Sequence, residues 1–223
     1  MKRISLALPA ISFMLAAVTY AQQGKDDAWV TLFDGKTLDG WTTLDKKPVT
    51  KGWVVEDGLL HRTDTGGDIY TEKEYANFIV EFEWRSVANT NSGVKYRMKL
   101  YGKEYLGPEY QILDDGEPPK TKNPKMRTAS IYELFAPNDK RKLNPPGQWN
   151  TGRIVANGTR IEHWINGEKA VDANTASADW AKAVAASKFN KYPEYGRNPS
   201  GRIMLQNHGT EVWFRNIRIK LLP

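Results

Sequence analysis

Apolar and polar residues alternate with a period of two in eight short segments of this chain, at 78–85, 93–99, 109–113, 131–135, 153–156, 161–166, 202–207 and 212–220. That period puts neighbouring side chains on opposite faces of an extended backbone, so each segment is predicted as a strand with one buried face. Gly, Pro, Asn and Asp separate the segments, and Asn166-Gly167 is the sharpest hairpin signal. One stretch departs from the rhythm: 177–188 is rich in Ala and Lys behind a Ser177 or Asp179 cap, which predicts a single surface helix. Many short strands with turn signals between them describe an all-β, antiparallel jelly-roll β-sandwich.

Alternation also sorts side chains by face. In 78–85, Phe78, Val80, Phe82 and Trp84 share the apolar face, while Glu81, Glu83 and Arg85 share the other. Val94, Tyr96 and Met98 face inward in the next strand, leaving Lys95, Arg97 and Lys99 outward. Glu109 and Gln111 alternate with Tyr110 and Ile112, and Gln206 and His208 oppose Leu205 and Asn207. If these strands share one sheet, its outer face gathers Glu83, Arg85, Lys95, Arg97, Glu109, Gln111, Gln206 and His208. Sugar hydroxyls point in several directions, and such residues supply the donors and acceptors they need. A solvated face with cross-strand ion pairs has the same composition and stays open as a reading.

Composition narrows the chemistry. The chain has no cysteine, three histidines (His61, His163 and His208) and eight tryptophans. No G-x-S-x-G or H-E-x-x-H motif occurs, so nucleophilic serine, thiol and zinc-protease chemistry drop out and any imidazole base is one of those three histidines. Tryptophan rings stack on the apolar faces of sugars; Trp41 and Trp149 are expected to be exposed and most of the others buried. His163, in IEHWING, fits two registers: substrate contact on the outer face, or hydrogen-bonded burial, the commoner fate of such a histidine.

Lys2 and Arg3 precede an apolar run over 4–18 that is short for a bilayer span, and Thr19 and Ala21 give it an A-x-A-like end. The segment 1–21 therefore reads as a signal peptide cut after Ala21, with a single domain over 22–223; a signal anchor is the competing reading. No second long apolar segment follows, so no stable membrane insertion is expected after cleavage. Export without cysteine excludes a disulfide framework and points to a secreted or periplasmic bacterial protein. Loss of Lys2 and Arg3 lowers the formal net charge from +6 to +4, and the dense basic stretch over 120–141 contains Pro124 and Pro137 and reads as a solvated loop. Nucleic-acid binding wants a continuous basic face and is not expected.

The strings LFDGKTLDGW (32–41), EYANFIVEFEWR (74–85), NSGVKYR (91–97), GPEYQILDD (107–115), IEHWINGEKAV (161–171) and LQNHG (205–209), the last followed by VWFRNIRI (212–219), resemble the 3-keto-disaccharide hydrolase domain family. The resemblance runs from about Trp29 to the C-terminus in one order. It implies a concanavalin- or laminarinase-like jelly roll acting on glycosides whose sugar carries a ketone at carbon 3. That ketone acidifies the proton on carbon 2, so the glycosidic oxygen on carbon 1 can leave by elimination, after which water adds back. The route needs a base near carbon 2, a cation or divalent metal for the enolate, and an acid for the departing oxygen.

In that scheme His208 and Glu109 share the roles of base and acid and Arg97 or Lys95 stabilises the enolate. Lys95, Gln111, Gln206, Glu83, Arg85 and His163 are expected to contact the carbohydrate. A divalent ion is the one cofactor this leaves room for, with the loop at Asp114-Asp115 a candidate place for Ca²⁺ and no ligand set defined by spacing. Two rival readings stand beside the keto route: a non-catalytic glycan-binding module, and a two-carboxylate glycosidase pairing Glu109 with Glu83 or Glu133.

Overall fold

A computed structural model describes residues 28–63, 65–116 and 120–223, and the predicted signal peptide lies outside them. The strands are β1 (Trp29–Thr31), β2 (Trp41–Thr42), β3 (Trp53–Glu56), β4 (Leu59–Arg62), β5 (Ile69–Tyr75), β6 (Phe78–Ser86), β7 (Asn91–Tyr101), β8 (Glu104–Leu106), β9 (Glu109–Leu113), β10 (Trp149–Asn157), β11 (Arg160–Ile165), β12 (Glu168–Asn174), β13 (Gly201–Leu205) and β14 (Val212–Leu221). They form two antiparallel sheets. The first runs β12-β11-β10-β6-β14-β4-β3, with β1 added to β14; the second runs β2-β5-β13-β7-β8, with β9 paired to β7.

The alternation predicted from sequence is what joins the sheets. Phe78, Val80, Phe82 and Trp84 at the centre of the first sheet are all buried, as are Val94, Tyr96, Tyr110, Ile112, Ile203 and Leu205 of the second. Edge-to-face rings bridge the two layers: Phe82 meets Tyr110 at 5.3 Å and Phe78 meets Tyr96 at 6.3 Å between ring centroids. Each such side chain contributes about 1.5–3 kcal/mol by leaving water, and a chain without disulfides rests on that burial. The Asn166-Gly167 turn has φ of 47° and 82°, the left-handed pair that a two-residue hairpin loop needs.

The predicted helix is α1 (Ala178–Ala185), capped by Ser177, whose hydroxyl accepts the Trp180 N–H at 3.1 Å. It is more than surface decoration, because Trp180 is fully buried and its indole N–H donates to the Tyr195 carbonyl at 2.9 Å. The predicted strand at 131–135 is instead a tight turn. Leu134 and Phe135 N–H both donate to the Ile131 carbonyl at 2.9 Å, and Glu133 has φ of 68°. Its buried residues, Ile131 and Leu134, are three apart, a spacing that suits a turn and not an extended strand. Trp41, expected to be exposed, is buried with its indole N–H on the Leu32 carbonyl at 2.7 Å.

Candidate active site

The strand registers of the second sheet line up three rows of side chains on its outer face. In the first row, Tyr70 pairs with Met204, Met204 with Lys95, and Lys95 with Glu109. In the second, Gly93 pairs with Gln111 and its carbonyl accepts the Gln206 N–H at 2.9 Å, while the next amide, Asn207 N–H, donates to Asp68 Oδ1 at 2.8 Å. In the third, Asn91 sits opposite Leu113 and its side-chain amide meets His208 Nδ1 at 3.3 Å. The row between the first two, Ile69, Leu205, Val94 and Tyr110, points into the core.

Glu109 is a deeply buried carboxyl on this face, 5% exposed, with Lys95 Nζ at 3.5 Å. Burial pushes its carboxyl upward, against the smaller pull of the Lys95 and Lys188 ammonium groups. A groove of about 290 Å³ opens over it, lined by Lys95, Glu104, Gly107, Lys188, Lys191 and Tyr195 among others. The far wall comes from the segment after α1, where the Lys188 ammonium lies 4.3 Å from the centre of the Tyr132 ring. Gln111 Nε2 donates to Asn91 Oδ1 at 3.0 Å, so a hydrogen-bonded chain runs from Gln111 through Asn91 to His208 at the rim. Gln206 Oε1 is buried without a partner, an acceptor open to a hydroxyl donor.

The structure gathers five of the predicted residues here: Lys95, Glu109, Gln111, Gln206 and His208. Four others lie elsewhere. Arg97 has φ of 47° at an irregularity in β7, which turns its side chain inward. There, 2% exposed, its guanidinium donates to the Ala76 carbonyl at 2.8 Å, the Gly158 carbonyl at 2.7 Å and Asn77 Oδ1 at 3.2 Å. It ties the second sheet to the β10–β11 turn of the first and to the β5–β6 connection between the sheets, and does not reach the outer face. Glu83 and Arg85 do point outward, but from β6, in the other sheet, and so lie on the opposite side of the sandwich.

His163 takes the buried register. Its Nδ1 faces the Ala129 and Ser130 carbonyls at 3.2 and 3.1 Å, which makes Nδ1 the protonated nitrogen and Nε2 the acceptor of the Tyr96 hydroxyl at 2.8 Å. Burial lowers its pKa to about 4, so it is a neutral core residue and not a sugar contact. Asp114 pairs with Lys120 and Asp115 with Arg141, so the loop proposed for Ca²⁺ already has cationic partners on both carboxylates. Among the described residues, no group of three or more His, Cys, Asp and Glu is placed to hold a metal ion.

A cavity of about 580 Å³ lies on the outer face of the first sheet beside Asp34, Glu81, Glu83 and Asn216. Its carboxylates are already satisfied: Glu81 by Arg153 at 2.7 Å and Arg218 at 2.7 Å, and Glu83 by Arg215 and Asn216, each at 2.8 Å. Arg85 is held between the Trp149 and Trp213 rings, at 5.2 and 4.6 Å. That face carries a cross-linked cover, whereas the second sheet presents a buried carboxyl, an unpartnered acceptor and free space together. Pattern reading missed Asp68 and Tyr70, because β5 alternates poorly, and Lys188, because it follows the helix and is brought in only by tertiary packing.

The chain matches the 3-keto-alpha-glucoside-1,2-lyase-like domain over residues 28–220. It is 32% identical over 230 residues to the 3-keto-disaccharide hydrolase of Bacteroides thetaiotaomicron, covering 88% of this chain and 79% of that one. Crystal structures of two provisionally assigned glycosyl hydrolases from Parabacteroides distasonis ATCC 8503 superpose on it. One has a TM-score of 0.78 at 33% identity, covering 87% of this chain and 94% of the other. The second has a TM-score of 0.70 at 27% identity, covering 88% and 100%. These relatives make the protein a carbohydrate-active enzyme with glycoside hydrolase activity, and the chain belongs to the 3-keto-alpha-glucoside-1,2-lyase-like domain family.

Proposed function

We propose that this protein cleaves the glycosidic bond of 3-keto-glycosides by elimination followed by hydration, in the groove over Glu109. The observation that carries the reading is the state of Glu109: a carboxyl raised by burial, beside Lys95 at 3.5 Å. A carboxyl that holds its proton more tightly than usual is suited to protonating the departing oxygen, and Lys95 supplies positive charge for the oxygen of the enolate. Gln111, Gln206 and Asn91 offer hydrogen bonds to the remaining hydroxyls. The elimination also needs an acceptor for the carbon 2 proton, and His208 is the imidazole that the sequence offers at the rim. Export to the periplasm or the medium, with cleavage after Ala21, belongs to the same proposal and fits an enzyme of scavenged sugars.

The test is incubation of the purified protein with a 3-keto-glucoside and its unoxidised parent, with and without chelator. The expected result is cleavage of the ketone alone, with solvent hydrogen exchanging at carbon 2. Comparable cleavage of the unoxidised glycoside without exchange would favour a two-carboxylate mechanism, and binding without turnover a glycan-binding module.

A further inference from the structure

We infer that the groove beside Glu109 takes an anionic aglycone, with Lys188 the residue that recognises its carboxylate. The inference rests on reading this face as the keto-glycoside site and names the class of leaving group, which that reading leaves open.

The hydroxyl-binding groups and the groove lie on opposite sides of Glu109. Gln111, two residues after it, belongs with Gln206 and Asn91 to the second and third rows. Gly107, two residues before it, lines the groove together with Leu106 and Glu104. A glycosidic oxygen beside the Glu109 carboxyl therefore has its sugar ring on the side of Gln111, Gln206 and Asn91, where the donors and acceptors are, and its aglycone in the groove.

The groove carries a surplus of positive charge. Three ammonium groups line it, on Lys95, Lys188 and Lys191, with the carboxyls of Glu104 and Glu109. Lys95 stands 3.5 Å from Glu109, and Lys191 is joined to Glu104 at 2.5 Å. Lys188 is the cation left over: among the described residues it has no carboxylate within ion-pair distance. With Glu109 protonated, as the acid of the elimination must be, all three ammonium groups face the single carboxylate of Glu104.

Aromatic rings hold Lys188 in place. Its ammonium lies 4.3 Å from the centre of the Tyr132 ring and 5.3 Å from that of Phe189. Both rings are themselves fixed. Tyr132 N–H donates to the Glu109 carbonyl at 3.1 Å, and Phe189 is buried and stacked on Tyr195 at 3.9 Å. A cation seated against ring faces keeps its N–H donors for a ligand and loses little rotamer freedom when one binds. Hydroxyls are served equally well by neutral partners, whereas a carboxylate gains charge-assisted hydrogen bonds from Lys188 and offsets the surplus charge around it.

The experiment measures kcat/KM for two pairs of 3-keto-glucosides, one with 4-hydroxybenzoate or its methyl ester as aglycone, the other with glucuronate or glucose. Wild type, Lys188→Ala and Lys188→Arg are compared, each first checked for an unchanged unfolding midpoint. Comparing the acid-to-neutral ratio between proteins cancels the intrinsic reactivity of the leaving groups. In at least one pair that ratio should fall about fivefold or more in Lys188→Ala and stay near the wild-type value in Lys188→Arg. It should also shrink in the wild type as salt is raised, since the charge is exposed. The pair that responds tells an aromatic acid from a sugar acid. A ratio unaltered by Lys188→Ala in both pairs overturns the inference alone, because cleavage of the ketones still upholds the site. Wild-type protein that cleaves none of the four overturns the reading of the site and the inference with it.

Discussion

Glu109 occupies the space that a side chain at position 93 would need: a Cβ built on Gly93 would lie 2.6 Å from Glu109 Oε1 and 3.1 Å from its Cγ. The two residues stand on neighbouring strands, and the smaller one allows the larger to fold down onto the sheet. Gly93→Ala should therefore push the carboxyl out of its buried position. We expect a loss of about 1–3 kcal/mol in stability from overpacking and roughly tenfold or more in turnover. Wild-type kinetics in Gly93→Ala would show that the position of Glu109 is not critical.

Glu109→Gln keeps the shape and removes the proton. Turnover should fall on the order of 100-fold or more, with KM little changed. The same variant tests the burial of the charge. A carboxyl raised in the folded state binds its proton more tightly there than in the unfolded chain, so stability falls as pH rises from the unfolded pKa through the folded one. Chemical denaturation at a series of pH values should show that slope in the wild type and a flatter one in Glu109→Gln.

His163 gives the opposite slope. Its pKa is lowered from 6.5 to about 4, so the unfolded chain takes up a proton that the core refuses. Stability should fall as pH drops from about 6.5 towards 4, by roughly 3 kcal/mol in all. His163→Gln, measured over the same window, should lose this dependence; an unaltered slope would assign it to other groups.

Arg97→Ala should act on folding and not on chemistry. Removing the guanidinium takes the donors from the Ala76 and Gly158 carbonyls and empties the space of a buried side chain, a cost of roughly 1–3 kcal/mol. The unfolding midpoint should drop sharply while the protein still folded keeps its carbon 2 exchange. Loss of exchange at an unchanged midpoint would return Arg97 to the active site.

Export is tested by the intact mass of protein recovered outside the cytoplasm, which should correspond to a chain beginning at Gln22. An uncleaved Met1 in a membrane fraction would count for the signal anchor.

Local chemistry was enough to write the sandwich into the sequence. The alternation of Phe78, Val80, Phe82 and Trp84 against Glu81, Glu83 and Arg85 fixes which face of β6 is buried, because one strand can bury only one set. Asn166-Gly167 fixes a hairpin, because its backbone angles are closed to most other pairs. Lys95, Glu109, Gln111, Gln206 and His208 were legible as outward residues for the same reason. What alternation does not encode is which strands are neighbours. That depended on long-range pairing, which put β6 in one sheet and β7, β9 and β13 in the other, and so separated Glu83 and Arg85 from Glu109. A single positive φ at Arg97 broke the two-residue period and turned a predicted outward cation inward. Asp68 and Lys188 act on Glu109 through space, from just before β5 and from the segment beyond a helix, an arrangement that exists only once the layers have packed.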